Sequence, residues 1–163
     1  MSVPTAGEFM TPSPASCTPH DSLETAARLM AEHDCGAIPV VDELLTARPV
    51  GVITDRDVVI RVVAKGLFTS DHVVRDVMSA EPFVVHVNAS FHDCAKAMED
   101  HHIRRVLVVD DRGKVVGIIT DGDLARACKN VPGLEHDLVC AVEEVSGHEP
   151  TGLQRNAPCL SAG

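Results

Sequence analysis

The sequence predicts an α/β fold (α+β within each unit) that contains two copies of a β-α-β-β-α repeat. The first observation behind this prediction is a G-h-h-T-x-x-D segment that occurs twice, at 51–57 and at 117–123. The second is that the residues upstream repeat in the same order, so that Met10 matches Met78 and Asp42 matches Asp110. The third is that short apolar runs and helix-spaced apolar stripes alternate at the same places in both copies.

The internal repeat sets the expected boundaries along the 163 residues. They are an N-terminal segment at 1–9, a first repeat at 10–68, a linker at 69–77, a second repeat at 78–131 and an acidic C-terminal tail at 132–163. Residues 1–9 are small and polar and are expected to be partly extended. In the tail, 134–145 is expected to form a short helix and 146–163 to be disordered.

Each repeat is expected to begin with a short strand, at 14–18 and at 82–87, and to continue into an amphipathic helix. Asp21 and Ser22 are candidate N-caps of the first helix, and Glu24 can complete a capping box with Asp21. The apolar helix faces are Leu23, Ala26, Ala27 and Met30 in the first copy and Phe91, Cys94, Ala95 and Met98 in the second. Gly36 stands where a left-handed helix end is expected.

Two strands and a closing helix complete each repeat. The continuous apolar runs 38–41 and 106–109 are typical of strands buried on both faces. The strand at 115–119 follows a tight polar turn in the second copy. Closing helices are expected at 57–65 and 123–129. The first of these is rich in β-branched residues, so tertiary packing must stabilise it.

Both repeated motifs put a threonine and an aspartate at a junction between a buried strand and a helix. The first turn of a helix leaves backbone N–H groups unpaired, so such junctions favour anions. The motif residues are Thr54 and Asp57 in the first copy and Thr120 and Asp123 in the second. Threonine and aspartate are also common helix caps, so a purely structural role is the alternative interpretation.

Composition excludes several classes of function. The net charge is −10, and the chain has no Trp, no Tyr and four Phe, which argues against nucleic acid as a partner. No apolar run approaches the roughly 18 residues of a membrane span, and no secretory signal opens the sequence. We therefore expect a cytoplasmic protein with no membrane association.

Neither the cysteines nor the histidines indicate a reactive site. The six cysteines form no C-x-x-C pair, and the nine histidines show no ligand spacing, so no metal site is expected. For Cys17 the sequence leaves two alternatives, a free thiol and a disulfide. There is no nucleophile–base pattern and no pair of catalytic carboxylates, so we predict no catalytic residue and no enzyme activity.

The repeated segments resemble a tandem pair of CBS (cystathionine β-synthase) domains, the regulatory unit called a Bateman module. The resemblance covers about residues 5 to 131 and rests on Val77-Met78, on Ile38-Pro39-Val40-Val41-Asp42 and on the two G-h-h-T-x-x-D segments. The proteins that it resembles are stand-alone bacterial CBS-pair proteins, since no segment is long enough for a catalytic or transport domain. The resemblance implies that the two repeats pack through their sheets with pseudo-two-fold symmetry and with two clefts between them, and that modules form a flat homodimer.

The resemblance also implies that adenosine-containing ligands (AMP, ADP, ATP, S-adenosylmethionine or NAD) bind in these clefts. In the family, the motif Asp holds the ribose hydroxyls and the motif Thr or Ser meets phosphate. The resulting candidates for nucleotide binding are Gly36, Ala37, Thr54, Arg56, Asp57, Phe83, Val84, Arg104, Arg105, Thr120, Asp121 and Asp123. The segments 83–85 and 103–107 are expected to form the apolar walls.

Arg104 and Arg105 occupy the place that Gly36 and Ala37 hold in the first copy. Two guanidinium groups can neutralise phosphate, so we expect the second motif's cleft to be the better phosphate site. A solvated strand end is the alternative interpretation, because exposed arginine is common.

The function expected from this resemblance is a sensor that binds an adenosyl nucleotide, such as AMP or ATP, as a ligand and not as a cofactor. Ligand binding would change the angle between modules, and an unidentified regulated protein would respond to that change. The alternative is a structural or stress-response interaction protein whose clefts are degenerate and bind no ligand.

Overall fold

The computed structural model describes residues 3–130 and 133–134. Its helices are α1 (Ala6–Phe9), α2 (Leu23–Glu32), α3 (Asp55–Arg61), α4 (Val74–Val77), α5 (Phe91–His101) and α6 (Asp121–Asn130). Its strands are β1 (Thr11–Pro12), β2 (Ala37–Val41), β3 (Pro49–Thr54), β4 (Ser79–Ala80), β5 (Val84–His86), β6 (Arg105–Val109) and β7 (Val115–Thr120). Two 3-10 turns, Val63–Lys65 and Thr69–Asp71, lie between α3 and α4.

The strands form one sheet for each repeat. The order is β2-β3-β4 in the first sheet and β1-β7-β6-β5 in the second. The central pairs β2–β3 and β6–β7 are antiparallel with matching registers, since Ala37 pairs with Thr54 and Arg105 pairs with Thr120. The first residue of β2 therefore lies beside Thr54, and the first residue of β6 lies beside Thr120.

The two repeats exchange the short strands with which they begin. β1, at the start of the first repeat, pairs with β7 of the second, and β4, at the start of the second repeat, pairs with β3 of the first. The registers correspond, because Pro12 lies opposite Gly117 and Ala80 lies opposite Gly51. This exchange carries residues of one repeat to the motif of the other.

Apolar packing divides into a core for each repeat and a third cluster between the sheets. Phe91, Met98 and Ile119 belong to the second core, and Leu23 and Ile53 to the first. The buried residues of the cluster between the sheets are Val41, Ala47, Leu107, Val115 and Ile118. Because β2 and β6 lie between a repeat core and this cluster, they are buried on both faces, as the sequence predicts.

The N-terminal segment differs from its expected extended conformation. Ala6–Phe9 is a helical turn in which the N–H and hydroxyl of Thr5 donate to Glu8 Oε2, at 2.7 and 2.9 Å. Phe9 packs on Phe91 with ring centroids 5.6 Å apart. Burial of Ala6 and Phe9 against the second repeat favours this turn, which the polar sequence around it did not indicate.

Two details at the ends of α2 also differ from expectation. Ser22 alone caps the helix by accepting from the Thr25 N–H, whereas Asp21 accepts from Thr18 and Glu24 accepts from Thr69. The left-handed residue after the helix is Asp34, not Gly36, at φ 49°. The short polar side chain of Asp tolerates that conformation.

The first strand of the first repeat is shorter than predicted. It is reduced to one parallel bridge between Cys17 and Val40, whereas its counterpart β5 is a strand. Pro14 has no backbone N–H, and the Thr18 N–H donates to the Asp21 carboxylate, so neither end of that segment donates to a neighbouring strand. Both closing helices begin two residues earlier than predicted, at Asp55 and Asp121.

No helix in the described part of the chain is long and apolar enough to cross a membrane. The predicted helix at 134–145, apart from Leu134, and the predicted disorder at 146–163 lie outside the described residues.

Candidate functional site

Both motifs form the same reciprocal cap at the start of a helix. Asp57 Oδ2 accepts from the N–H of Thr54 at 3.0 Å and from its hydroxyl at 2.7 Å, and Thr54 Oγ1 accepts from the Asp57 N–H at 3.0 Å. Thr120 and Asp123 repeat this arrangement at 2.8, 2.8 and 3.3 Å. Capping therefore engages one carboxylate oxygen of each motif and leaves the other for a second role.

The second oxygen distinguishes the two motifs. Asp57 Oδ1 lies 3.4 Å from Arg61 Nε, and the Asp57 side chain is 16% exposed. Asp123 is only 4% exposed, and its Oδ1 accepts from the Thr11 hydroxyl and from the Arg126 guanidinium. The N-terminal strand thus covers the second carboxylate, whereas the first is partly open.

A cleft of about 310 Å³ lies between the repeats on the side of the first motif. Its lining residues are Val52, Thr54, Asp57, Ser79, Ala80, Glu81, Pro82, Phe83, Ile103, Arg104 and Arg105. The cleft combines residues of the first repeat, including its motif, with residues of the second repeat. Five of the predicted nucleotide contacts meet here: Thr54, Asp57, Phe83, Arg104 and Arg105.

The two arginines lie on the side of the first motif, whereas the sequence placed them at the cleft of the second. Both line the cleft that contains Thr54 and Asp57. The buried Arg105 Nε has no hydrogen-bond partner, whereas Arg104 donates to Asp121 Oδ2 from Nε at 3.0 Å and from a terminal nitrogen at 2.8 Å. The pseudo-two-fold packing places the start of β6 opposite the first repeat, which the sequence alone did not indicate.

The other predicted contacts lie outside the lining of this cleft. They are Gly36, Ala37, Arg56, Val84, Thr120, Asp121 and Asp123. The Gly36 carbonyl accepts from the Asp55 N–H at 3.1 Å, and the Arg56 N–H donates to Asp55 Oδ1 at 2.7 Å. Val84 pairs with Leu107 at the start of β5.

Residues 79–82 and Val52 are lining residues that the sequence did not single out. They enter the cleft because β4 pairs with β3 of the other repeat, with Ser79 opposite Val52. Glu81 then turns the chain at φ 54°. The sequence signal that could have found them is the internal repeat, which aligns 79–82 with 11–14. The alignment does not show which motif each segment approaches.

Apolar side chains form one wall of the cleft. Phe83 is 42% exposed, and its ring stacks on the His101 ring with centroids 3.8 Å apart and an angle of 21° between the planes. Ile103 and Val52 add aliphatic surface. A flat apolar ligand group fits beside such a wall, because stacking contacts gain both burial and favourable ring geometry.

Two of the buried cysteines, Cys17 and Cys94, are not activated nucleophiles. Burial raises the pKa of the Cys17 and Cys94 thiols to about 12. Cys128 is buried, and Cys35 is exposed. Within the described residues no group of three or more His, Cys, Asp or Glu side chains is arranged to hold a metal ion.

Comparison with known proteins places these features in a family. The CBS domain model matches residues 6–64 and 74–130, which is more than half of the chain. The chain belongs to the CBS-domain family. As a CBS-domain pair it belongs to a class of non-catalytic regulatory modules, and the predicted family, fold class and lack of enzyme activity are confirmed.

Two relatives show how much of a related protein the chain spans. It is 34% identical over 141 residues to hypoxic response protein 1 of Mycobacterium tuberculosis, covering 86% of this chain and 93% of that protein. It is 35% identical over 127 residues to an uncharacterised protein of Methanopyrus kandleri, covering 78% of this chain and 60% of that protein.

Three solved structures resemble the chain. Hypoxic response protein I with two coordinated zinc ions gives a TM-score of 0.66 at 36% identity, covering 76% of this chain and 98% of that one. CBSX2, an Arabidopsis thaliana protein, in complex with AMP gives 0.65 at 31% identity, covering 77% and 96%. The CBS pair of MJ0100 with 5′-methylthioadenosine and S-adenosylmethionine gives 0.69 at 25%, covering 79% and 98%.

Proposed function

We propose that this CBS pair is a regulatory module that binds an adenosine-containing ligand in the cleft of the first motif. The observation that carries the proposal is the convergence of Asp57 from one repeat and Arg105 from the other on one cleft with an apolar wall. Its volume of about 310 Å³ is at the lower end of the roughly 300–1,000 Å³ that is typical of small-molecule sites.

The ribose is assigned to Asp57. Its Oδ2 is engaged by Thr54, so Oδ1 is the oxygen that can accept from a ribose hydroxyl. A hydrogen bond to a charged acceptor contributes about 1.5–3 kcal/mol. Arg61 lies 3.4 Å from this oxygen through its Nε, and its terminal nitrogen donates to the Val77 carbonyl at 2.9 Å, so it helps to orient the carboxylate.

The phosphate is assigned to Arg105. Its Nε is buried without a hydrogen-bond partner, and an unpaired buried donor is costly until a ligand accepts from it. The base is assigned to the wall formed by Phe83, Ile103 and Val52, where it gains apolar contact. The AMP complex of CBSX2 and the S-adenosylmethionine complex of MJ0100 support an adenosyl ligand.

Calorimetric titration with AMP, ATP, S-adenosylmethionine and NAD tests the proposal. We expect Asp57→Asn to weaken binding at least about ten-fold, because one charge-assisted hydrogen bond is worth that much. Asn keeps a side-chain acceptor for the Thr54 cap, so the fold is retained. Asp55→Asn, the adjacent carboxylate outside the cleft lining, is the matched control. Loss of binding only in Asp123→Asn would move the site to the second motif.

The second candidate function is a structural or stress-response interaction protein with ligand-free clefts. The enclosed Asp123 carboxylate favours this alternative for the second motif, because Thr11 and Arg126 already engage its outer oxygen. If none of the four compounds binds the wild-type protein, the adenosyl-sensor proposal is wrong and this alternative is preferred.

Regulation requires a ligand with unequal affinity for two arrangements of the repeats. The proposed ligand contacts both repeats, so its binding favours the arrangement in which Asp57 and Arg105 face each other. A partner protein that recognises this arrangement, and self-association into a homodimer, complete the proposed regulatory role.

A further inference from the structure

An ion pair at the cleft of the first motif joins Arg104, which lines that cleft, to Asp121 of the second motif. Arg104 lines the cleft, and its Nε and a terminal nitrogen both donate to Asp121 Oδ2, at 3.0 and 2.8 Å. The Arg104 side chain is 66% exposed and that of Asp121 is 35% exposed. Part of the positive charge available to a ligand phosphate is therefore already neutralised.

Asp121 is held in the position that engages Arg104. Its Oδ1 accepts from the Gly122 N–H at 2.9 Å, and its own N–H donates to the Arg104 carbonyl at 3.2 Å. One hydrogen bond therefore holds the Asp121 carboxylate and the other holds its backbone, at the first residue of α6. A phosphate that recruits Arg104 must compete with this preorganised acceptor.

The charges that line the cleft balance. Asp57 and Glu81 contribute two negative charges, and Arg104 and Arg105 contribute two positive charges. With Arg104 engaged by Asp121, Arg105 is the cationic lining residue with a buried, unpaired N–H. One phosphate satisfies that donor, whereas each further phosphate adds negative charge to a cleft with Glu81 on its lining, in a chain of net charge −10.

We propose that Asp121 is a specificity-determining residue that makes the cleft select a nucleoside monophosphate over a nucleoside triphosphate. It acts by engaging Arg104, and the inference rests on the proposed adenosyl-ligand function. Asp121 is a positioning residue for the Arg104 guanidinium and does not itself line the cleft.

The first repeat supplies a matched control. Asp55 is the counterpart of Asp121, and its N–H donates to the carbonyl of Gly36, the counterpart of Arg104. Gly36 has no side chain, so Asp55 holds no guanidinium at that position. Asp55→Asn therefore removes the same charge as Asp121→Asn at the start of a corresponding helix, without releasing an arginine.

The test measures the affinities of adenosine, AMP and ATP by calorimetry for the wild type, Asp121→Asn, Asp55→Asn and Arg105→Met. We expect the wild type to bind AMP more tightly than ATP. Asp121→Asn should reduce that preference about three- to five-fold, the range an exposed ion pair can supply. Asp55→Asn should leave the preference unchanged, and Arg105→Met should bring AMP close to adenosine.

Two results overturn the inference while the proposed function stands. One is Asp57-dependent binding in which the wild type prefers ATP or binds AMP no more tightly than adenosine. The other is an AMP preference that Asp121→Asn and Asp55→Asn change equally, which would mean a general effect of charge. If no adenosine compound binds the wild type, the proposed function and this inference both fail.

Discussion

Asp57 and Asp123 show how one residue type at matched positions acquires two roles. Both cap a helix through the same hydrogen bonds with a threonine. Only Asp123 is enclosed, at 4% exposure, by Thr11 and Arg126. Burial of a charge is tolerated where hydrogen bonds and an opposite charge compensate it, so Asp123 contributes to stability. Asp57, which is 16% exposed and pairs with Arg61, is the carboxylate that the proposed ligand can reach.

Asp123→Asn should destabilise the fold more than Asp57→Asn. We expect the free energy of unfolding to fall by about 1–3 kcal/mol for Asp123→Asn, because a buried charged partner of Arg126 and Thr11 is lost. Asp57→Asn should cost less, since that side chain is more exposed and its partner Arg61 keeps its bond to the Val77 carbonyl. Urea denaturation measures both, and equal losses would contradict the proposed division of roles.

Thiol reactivity should follow burial. Burial raises the pKa of Cys17 and Cys94 to about 12, so at mildly alkaline pH both thiols stay protonated and shielded in the folded protein. We expect iodoacetamide to modify the exposed Cys35 before Cys17 and Cys94, as followed by peptide mass spectrometry. Denatured protein, in which all three thiols should react, is the control, and early modification of Cys17 or Cys94 would contradict the prediction.

At the level of elements, the exchanged strands explain the glycine that opens each motif. A Cβ atom on Gly51 would meet the Met78 sulfur at 2.7 Å and the Ser79 carbonyl oxygen at 2.8 Å. A Cβ atom on Gly117 would meet the Met10 side chain in the same way. Both glycines allow the first residues of the other repeat to approach the sheet closely.

Gly51→Ala should therefore weaken the docking of β4. We expect a loss of about 1–3 kcal/mol in the free energy of unfolding, because backbone and not only a flexible side chain must move. Gly122→Ala is the control, since its Cβ would lie 3.6 Å from the nearest atom. That helical substitution should be neutral or stabilising by up to about 1 kcal/mol. Thermal and urea unfolding measure both variants.

The turns between the central strands should make stability depend on acid pH. Asp42 Oδ1 accepts from Thr46 and two backbone N–H groups, and Asp110 Oδ1 accepts from the N–H groups of Lys114 and Arg112. The Thr46 hydrogen bond lowers the pKa of Asp42, and the Lys114 N–H lowers the pKa of Asp110, both from an ordinary value of 3.8.

A lowered folded-state pKa means that the unfolded chain takes up the proton first as pH falls. The stabilisation from these two turns is therefore complete above pH 3.8 and is lost as pH falls from 3.8 through the lower folded-state values. We expect the Asp42→Asn/Asp110→Asn variant to show a shallower loss of stability over this range in urea titrations. A slope equal to that of the wild type would contradict the assignment.

At the level of the whole molecule, the two repeats differ most in their closing helices. The first repeat exposes a row of large apolar side chains on and after α3: Val59, Ile60, Val63, Leu67 and Phe68. The matching positions 125, 126 and 129 of α6 are Ala, Arg and Lys. A contiguous exposed apolar face of this kind is typical of an interaction surface.

The homodimer that the family resemblance implies should bury this apolar face. We expect Val59→Ala/Ile60→Arg/Val63→Lys, which copies the residues of the second repeat onto α3 and the 3-10 turn after it, to convert dimers to monomers in analytical ultracentrifugation. The substituted side chains are about half exposed, so the monomer fold should be retained, and circular dichroism checks this. A variant that stays dimeric would exclude this face as the interface.

The sequence by itself determined the repeat, the order of elements and the motif residues. Hydrophobic periodicity is local, so the apolar runs of β2 and β6 and the helix stripes could be read directly. The caps formed by Thr54 and Thr120 are also local, since each involves an aspartate three residues away. The N-terminal turn at Ala6–Phe9 escaped prediction because packing on Phe91, far along the chain, stabilises it.

Only the tertiary structure decided which residues share a cleft. Arg105 was assigned to the second motif by its position in the chain, yet it lines the cleft of the first. The cause is the reciprocal exchange of β1 and β4, which pairs each motif with the other repeat and encloses Asp123 behind Thr11. Contacts between repeats depend on how the two sheets pack. Because the two copies have similar local sequences, the local pattern does not show which motif a given segment will approach.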